Sequence, residues 1–345
     1  MIITTYKVTA PQVIEEFVDT LEYDNKSVLV HVDYLAICKA DIRYYLGNRD
    51  INVLNHKYPL APIHEAVGHV IKDPTNTFKK NDKVILIPNF VDKNKCKGCT
   101  NLRCSNSDLG ENYCPHAIFK SSNADGFMKP FYSCDPSLLV KYDDSIDPSI
   151  AVFSELLSVS NASCRRIDFT KAKNIALFGD GIMSYMMYIL LTKKYHKHIT
   201  VFGLNDDKLK CFKDADVAKY DSYLGEEFDT LIECVGGRGS EIAINQMINL
   251  SQIGADLILM GVSENNVSIN TRKILEKGIS LKGVTRSTSL DFIEVSKLLN
   301  DKYVQDDLKP LVLSTGKISS VNDVYKFYEM EVNNTKIIGK NIMKF

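Results

Sequence analysis

Residues 174–191 read NIALFGDGIMSYMMYILL, and this stretch decides the fold of the second half of the chain. Its first apolar run predicts a buried strand, and the longer apolar run after Gly181 predicts a helix. Gly179 and Gly181 lie at the junction, where a tight turn and close approach of the backbone to a pyrophosphate both require a residue without a Cβ. Ser184 stands where the third glycine of a dinucleotide-binding fingerprint is expected. The stretch therefore predicts a phosphate-binding turn, with a plain glycine turn before a buried helix as the alternative.

The sequence on the C-terminal side of this stretch repeats the alternation of short strand and helix. Strand-like runs are expected at 199–202 (ITVF), 230–234 (TLIEC), 256–260 (DLILM) and 280–284 (SLKGV). Such alternation predicts a parallel sheet covered by helices on both faces. We therefore expect a doubly wound, dinucleotide-binding Rossmann domain at residues 149–288.

The chain before this domain has a different pattern. Short β-like runs at 28–32, 67–71, 84–87 and 138–140 are separated by Pro, Gly and Asn, which predicts an irregular, mostly antiparallel domain at residues 1–148. From residue 289 to 345, a helix-like run and a final strand-like run are expected to return to that domain. The predicted fold class is α/β, with a β-rich domain and a parallel-sheet domain.

Composition and charge exclude several classes of protein. The chain has 345 residues with 42 Lys and Arg against 43 Asp and Glu, so its net charge of -1 gives no reason to expect nucleic acid or a membrane surface as partner. No apolar run is long enough to span a bilayer, and the first residues do not resemble a secretory signal. We expect a cytoplasmic protein with a small-molecule substrate.

The end of the second strand of the parallel sheet indicates which dinucleotide is bound. An acidic residue at this place accepts hydrogen bonds from the adenosine ribose of NAD, but here the residue is Gly203. A glycine leaves room for a 2′-phosphate, with Asn205 as a donor and Lys208 as a counter-charge. The sequence therefore favours NADPH, and NAD with Asp206 or Asp207 at the ribose is the alternative.

Four cysteines are clustered in one polar segment. Cys96, Cys99, Cys104 and Cys114 lie within KCKGCTNLRCSNSDLGENYC. Four thiolates suit tetrahedral Zn²⁺ and leave no open position, which indicates a structural rather than a catalytic site. His116 could replace one ligand, and free surface thiols are the alternative.

A second set of metal-binding residue types is dispersed along the chain: Cys38, His64, Glu65 and Glu155. A thiolate, an imidazole and one or two carboxylates form an open zinc site that can polarise a carbonyl or alkoxide oxygen. Each residue taken singly is more often an ordinary buried or solvated side chain. The sequences that flank them favour the zinc site.

Those flanking sequences resemble the zinc-containing medium-chain alcohol and polyol dehydrogenases along nearly the whole chain. The motifs concerned are CKAD at 38–41, HEAVGHV at 64–70, NDKV at 81–84, the cysteine cluster and SELLSVSNASCRR at 154–166. The resemblance implies a GroES-like catalytic domain joined to the Rossmann domain. It also implies two Zn²⁺ per chain, with Glu155 in the region of the catalytic zinc and Asp41 as a partner of His64.

Within that family, further motifs resemble bacterial ribulose-5-phosphate reductases, which make ribitol 5-phosphate for teichoic acid. They are RYYLGNRD at 43–50, ECVGGRGS at 233–240, NQMI at 245–248, GVSE at 261–264, NTRKILEKG at 270–278 and the Arg286-Ser287 pair. The resemblance implies reversible hydride transfer between NADPH and ribulose 5-phosphate, and we expect a homodimer or homotetramer. The four-cysteine segment departs from that subfamily. Ala40 agrees with the subfamily, whereas alcohol and sorbitol dehydrogenases usually have Ser or Thr at this position to relay a proton.

A sugar phosphate also needs cationic groups to hold its phosphate, and Arg suits bidentate contact. The candidates are Arg43, Arg49 and Arg286, of which Arg286 matches an arginine that faces the substrate in polyol dehydrogenases. Tyr44 and Tyr45 could contact the hydroxyls, or simply pack. The competing functions are an NAD-dependent dehydrogenase of an unphosphorylated polyol and an inactive nucleotide-binding protein.

Overall fold

The structure, a computed structural model, describes residues 1–91, 113–114 and 116–345. Two compact units are present. The first contains Met1–Ser158, Ser287–Thr335 and Gly339–Phe345, and the second contains Val159–Arg286 and Lys336–Ile338. The chain leaves the first unit within a helix, Ser154–Cys164.

The first unit is rich in β structure. Its elements up to that helix are β1 (Ile2–Ala10), β2 (Val13–Thr20), β3 (Val28–Ala36), α1 (Lys39–Tyr45), α2 (Ile51–Lys57), β4 (Glu65–Lys72), β5 (Lys83–Leu86), β6 (Asn89–Val91), β7 (Ala117–Phe119), β8 (Phe131–Cys134), β9 (Leu139–Lys141), α3 (Pro148–Ala151) and α4 (Ser154–Cys164). Two strands of the C-terminal part of the chain, β16 (Val312–Lys317) and β17 (Lys340–Lys344), join the main sheet, whose order is β16-β17-β3-β4-β5-β9, and β8 also pairs with β3. Its neighbours are antiparallel except for β16 and β17.

The central pair of this sheet, β3 with β4, positions the site described below. Five of the eight residues of β4 are buried, among them the apolar Ala66, Val67 and Val70. A Cβ at Gly68 would lie 2.0 Å from the main-chain oxygen of His31 on β3, so only glycine permits the strands to approach at this point. The ends of these two strands are therefore held in one register.

The second unit, whose residues the structure describes throughout, is a doubly wound α/β sandwich. Its elements are β10 (Ile175–Phe178), α5 (Ile182–Ile189), β11 (Ile199–Phe202), α6 (Asp206–Leu209), β12 (Asp216–Ala218), β13 (Phe228–Glu233), α7 (Ser240–Leu250), β14 (Ser251–Leu259), α8 (Thr271–Lys277) and β15 (Ser280–Gly283). All strand pairs are parallel, in the order β12-β11-β10-β13-β14-β15. This is the order of two mononucleotide-binding halves, and it confirms the predicted fold class.

The C-terminal elements belong to the first unit. They are α9 (Ser289–Leu298), α10 (Lys302–Leu308), β16 (Val312–Lys317), α11 (Val321–Asn333) and β17 (Lys340–Lys344). Buried residues of α11 and β17, such as Tyr328 and Met343, pack into the same core as β3 and β4.

Sequence periodicity missed the β1–β2 hairpin and β12. The hairpin's second strand is mostly exposed and charged, and β12 is only three residues long with little burial, so neither has a clear apolar alternation. In the part of the chain that the structure describes, no helix is long and apolar enough to cross a membrane.

Candidate active site

Three of the predicted metal ligands meet in the first unit. Ligand atoms of Cys38, His64 and Glu65 all lie within 4.8 Å of one another. Cys38 comes two residues after β3 and immediately before α1, and His64 immediately precedes Glu65, the first residue of β4. The antiparallel pairing of Ala36 with Glu65 explains why positions 26 residues apart in sequence share one end of the sheet.

Asp41 connects this cluster to the backbone around it. Its carboxylate is fully buried and accepts hydrogen bonds from the backbone N–H groups of Cys38 (2.9 Å) and Ile63 (3.1 Å). It also accepts one from the Ser121 hydroxyl and lies 3.6 Å from Nδ1 of His64. Asp41 thereby links the two segments that carry the thiol and the imidazole.

Charges inside this buried group shift each other's ionisation. Burial would raise the pKa of Asp41, but His64 and the hydrogen bonds from Ser121 and Cys38 lower it overall. Burial would lower the pKa of His64, but Asp41 and Cys38 raise it well above its usual value. Both shifts favour a charged Asp41 beside the imidazole.

The backbone before His64 adopts a conformation that β-branched residues rarely accept. Ile63 has a φ of 76° and a fully buried side chain. Its carbonyl accepts the N–H of Phe127, and its N–H donates to Asp41. Packing and hydrogen bonds therefore hold the strained residue that orients His64.

Glu65 is neutralised by a lysine that sequence reasoning missed. The ammonium of Lys340, on β17, lies 2.5 and 2.6 Å from the two carboxylate oxygens of Glu65 and donates to the carbonyl of Ile37 at 3.0 Å. Both side chains are almost completely buried. Burial opposes the charge, but Glu65 outweighs it and raises the pKa of Lys340 above its ordinary value. Nothing in the run KNIMKF distinguishes this lysine from a surface lysine at a strand end.

Glu155 lies on α4, outside the group of three ligand atoms within 4.8 Å. Burial raises the pKa of its carboxyl to about 7; His64 opposes this shift and Glu65 adds to it. The interactions place Glu155 within electrostatic range of the cluster. Its role as a zinc ligand stays a prediction.

The predicted structural zinc site falls mostly outside the described residues. Cys96, Cys99 and Cys104 lie in the range that the structure does not describe. Cys114 is buried beside Ala117 and Phe119, and His116 is exposed.

A cavity of about 520 Å³ lies in the second unit, at the carboxyl ends of β10, β11 and β13. Ligands of doubly wound sheets bind at this edge, where the strand order reverses. Phe178, Gly179, Asp180 and Gly181 line one side, and the start of α7 lines another. The predicted dinucleotide turn is therefore part of the cavity wall.

The two glycines of this turn, Gly179 and Gly181, are explained by different features of the structure. Gly179 has a φ of 124°, and a Cβ there would lie 2.6 Å from the hydroxyl oxygen of Ser184. Gly181 has no protein atom within 4 Å of the place where its Cβ would be, so that space is available to a ligand. Gly179 thus makes room for the serine that replaces the third glycine, and Gly181 leaves a cradle open to pyrophosphate.

The sequence predicts that Gly203 leaves open space for a 2′-phosphate, but protein side chains lie close to it. A Cβ at this position would lie 2.8 Å from Cβ of Asp180 and 2.8 Å from Cδ2 of Leu209. One oxygen of Asp180 accepts hydrogen bonds from the backbone N–H groups of Leu204 and Asn205, both at 2.8 Å. Asp180, which the sequence analysis did not single out, therefore holds the loop after β11.

Two lysines line this cavity, and one predicted residue does not. Lys208 and Lys219 are among the lining residues. Lys219 is paired with Asp206 at 2.9 Å, whereas no ion pair of Lys208 is found among the described residues. The Asn205 side chain accepts the N–H groups of Asp207 and Lys208 and so caps α6.

The arginines and tyrosines predicted to bind the substrate lie in different environments. In the first unit, the Arg49 guanidinium lies 5.0 Å from the ring centre of the buried Tyr44, and Arg43 is half-buried on α1. Tyr45 packs in the core against Tyr328, with ring centres 4.6 Å apart. In the second unit, Arg286 is exposed at a φ of 63°.

A β-rich unit with a partly buried Cys-His-Glu cluster and a parallel sheet with a glycine-lined cavity are the features of medium-chain dehydrogenases, which are oxidoreductases. The alcohol dehydrogenase GroES-like domain family matches residues 24–144. Ribulose-5-phosphate reductase 1 of Staphylococcus aureus is 37% identical, over 100% of this chain and 99% of its own length. Ribulose-5-phosphate reductase of Bacillus spizizenii is 36% identical, with the same coverage of both chains.

Among solved structures, S. aureus TarJ in complex with NADPH is similar to this chain. The TM-score is 0.85 at 35% sequence identity, covering 100% of this chain and 99% of that one. The chain belongs to the ribulose-5-phosphate reductase family of medium-chain dehydrogenases. The resemblance inferred from the sequence motifs is thereby confirmed.

Proposed function

We propose that the chain is a zinc-dependent reductase that uses NADPH to convert ribulose 5-phosphate to ribitol 5-phosphate. The observation that carries the proposal is the convergence of the half-buried Cys38 and His64 with the buried Glu65, whose ligand atoms lie within 4.8 Å of one another, while Glu155 lies within electrostatic range of His64 and Glu65. The relatives named above carry the same reductase activity in their names, and one of them binds NADPH.

The donor atoms of the cluster fit zinc. Thiolate, imidazole and carboxylate are its usual ligands, and a catalytic site uses three of them. Lys340 engages both oxygens of Glu65, so coordination by Glu65 would require the loss of a buried ion pair. We therefore propose Cys38, His64 and Glu155 as the ligands, with Glu65 held beside them by Lys340.

When bound, Zn²⁺ would polarise the ketone oxygen and NADPH would supply a hydride to the ketone carbon. The chain's own residues prepare the site. Asp41, whose carboxylate lies 3.6 Å from Nδ1 of His64, would favour a proton on that nitrogen and so leave Nε2 for a metal. Lys340 cancels the charge of Glu65, so that a second uncompensated carboxylate does not face an incoming anionic substrate.

Support for NADPH comes from the second unit. Gly181 leaves space for a pyrophosphate, and the carboxylate beside position 203, that of Asp180, is engaged by the backbone N–H groups of Leu204 and Asn205. Lys208 lines the cavity and can provide the positive charge that such a phosphate needs. Asp180 holds the loop that precedes Lys208 through two backbone hydrogen bonds.

The phosphate of the substrate is proposed to bind Arg286, with help from Arg43 or Arg49. Arg286 is exposed, and its left-handed backbone sets the direction of its side chain. Desolvation by the surrounding chain lowers the pKa of its guanidinium, which nevertheless stays charged. A second zinc, bound by Cys96, Cys99, Cys104 and Cys114, completes the proposal.

The test is oxidation of NADPH, followed by absorbance, with ribulose 5-phosphate and with ribulose. We expect kcat/KM to be at least about tenfold higher with the phosphorylated ketose, since a charge-assisted phosphate contact contributes about 1.5–3 kcal/mol. Arg286→Ala should remove that preference, and Arg272→Ala, at an exposed residue paired with Glu276, is the matched control.

Three outcomes would contradict the proposal. A preference for unphosphorylated polyols with NAD would make the chain a polyol dehydrogenase. Binding of NADPH without turnover, in protein fully loaded with zinc, would indicate a nucleotide-binding protein. Equal loss on ribulose and ribulose 5-phosphate in Arg286→Ala would remove Arg286 from the phosphate site.

A further inference from the structure

A second group of metal-binding side chains lies on the β3–β4 pair, away from the candidate active site. Ligand atoms of His31, Asp33 and His69 lie within 4.8 Å of one another. His31 and Asp33 are on β3, and His69 is the residue directly opposite His31 on β4. Seven residues of extended chain separate His31 from Cys38, so the two groups are roughly 20 Å apart along the strand.

The local structure explains why the three side chains converge. The β3–β4 register shifts between Val32 and Tyr34, so Asp33 is the extra residue of a bulge, which redirects a side chain. Gly68, whose Cβ would collide with the carbonyl of His31, allows close approach beside it. As a result, one carboxylate meets both imidazole rings.

Both imidazole rings are hydrogen-bonded to the Asp33 carboxylate. Nδ1 of His31 lies 2.7 Å from Asp33 Oδ1, and Nδ1 of His69 lies 3.0 and 2.8 Å from the two Asp33 oxygens. Zinc–ligand distances of about 2.0–2.2 Å at tetrahedral angles separate ligand atoms by about 3.3 Å. Around a bound metal, the contacts of the Asp33 oxygens with the two Nδ1 atoms would therefore lengthen by about 0.3–0.6 Å.

The surroundings leave the site open to an ion. The side chains are 24% (His31), 25% (Asp33) and 31% (His69) exposed. Among the described residues, Asp33 has no ion pair with Lys or Arg, and no hydrogen bond is formed by Nε2 of either ring. Lys83, opposite His69 on β5, donates to the carbonyls of Asp144 and Ile146 instead.

We propose that His31, Asp33 and His69 form an accessory site for a divalent transition-metal ion such as Zn²⁺ or Ni²⁺. Two imidazoles and a carboxylate suit such ions, and solvent can complete the coordination. Each ring would bind through Nδ1 and carry its proton on Nε2. The ion would join β3 to β4, the two strands whose ends carry Cys38 and His64.

The test is titration of the purified full-length protein with Zn²⁺, after its tightly bound metal has been counted. We expect the wild type to bind one more equivalent than His69→Gln, or to bind it at least about tenfold more tightly. His198→Gln is the matched control, since His198 pairs with a single carboxylate, Asp216, at 2.8 Å in the second unit. It should bind zinc like the wild type.

Thermal unfolding gives a second measurement. Added Zn²⁺ should raise the Tm of the wild type and of His198→Gln, but not that of Asp33→Asn, because the ion binds only the folded strands. Identical zinc stoichiometry and affinity in wild type and His69→Gln would overturn the proposal. An equal loss of zinc in His198→Gln would also overturn it, because binding would then be non-specific.

Discussion

The candidate active site of the first unit and the dinucleotide cavity of the second are built in opposite ways. Around Cys38 and His64, buried polar groups are already satisfied by Asp41, Ser121 and Lys340. The cavity instead has open space beside Gly181, and Lys208 on its wall is half-buried with no ion pair to any residue that the structure describes. In the first region the buried charged groups have partners within the chain, whereas in the second region open space and a positive charge are available to a ligand. Substitutions in the first should therefore affect metal content and stability, and substitutions in the second should affect cofactor affinity and selectivity.

The largest effect is expected from Cys38→Ala. Loss of the thiolate should remove about one zinc per chain and bring NADPH oxidation below detection, while the circular dichroism spectrum stays near that of the wild type. Cys211→Ala, at another half-buried cysteine, should keep both metal and activity. Full zinc content in Cys38→Ala would remove Cys38 from the ligand set.

Lys340→Met should lower the free energy of unfolding by about 3–5 kcal/mol, because it leaves the Glu65 carboxylate buried without its partner. Lys340→Arg should keep most of the stability. Urea denaturation measures the difference, with Lys141→Met as control: Lys141 pairs with Asp82 on the surface and should contribute less than about 1 kcal/mol. Equal losses in the two methionine variants would contradict the buried ion pair.

The same pair determines a pH dependence. Since Glu65 raises the pKa of Lys340 above 10.5, its stabilisation is fully present below that pH and is lost as pH rises through the higher folded-state pKa. The stability difference between wild type and Lys340→Met should therefore stay constant across the neutral range and decrease only in strongly alkaline solution.

Asp180→Ala should raise KM for NADPH roughly tenfold with little change in kcat, since two backbone hydrogen bonds that position the loop before Lys208 are lost. Asp180→Asn retains an oxygen acceptor and should recover most of the affinity. Initial-rate kinetics measure both. A similar rise in the two variants would mean that the charge of Asp180, and not its hydrogen bonding, matters.

The smallest effect is expected from Lys208→Ala. KM for NADPH should rise a few-fold and KM for NADH should not change, because the contact proposed for this side chain is with the 2′-phosphate alone and is screened by solvent. The effect should shrink at high salt. Lys210→Ala, at an exposed residue paired with Asp207 at 2.7 Å, is the control. Equal changes for the two cofactors would place the 2′-phosphate elsewhere.

Much of this molecule could be predicted from local pattern. The alternation after residue 174 gave the parallel sheet because each buried strand needs a short apolar run and each crossover needs a helix. The motifs around Cys38 and His64 indicated the segments that meet at one end of β3 and β4. The role of Glu155 could not be decided in this way, because its distance from the cluster depends on how α4 packs.

The fold class, the family and the segments that carry the candidate ligands follow from the amino-acid sequence alone, because they depend on periodicity and on residues close together in the chain. The partners that those residues meet depend on tertiary packing. Lys340 reaches Glu65 across 275 positions, and Asp180 fills the space beside Gly203 where an aspartate would otherwise fit. His31 and His69 become neighbours only through strand pairing. Such contacts leave no local pattern, since burial and charge pairing are satisfied by any complementary side chain that the fold brings into reach.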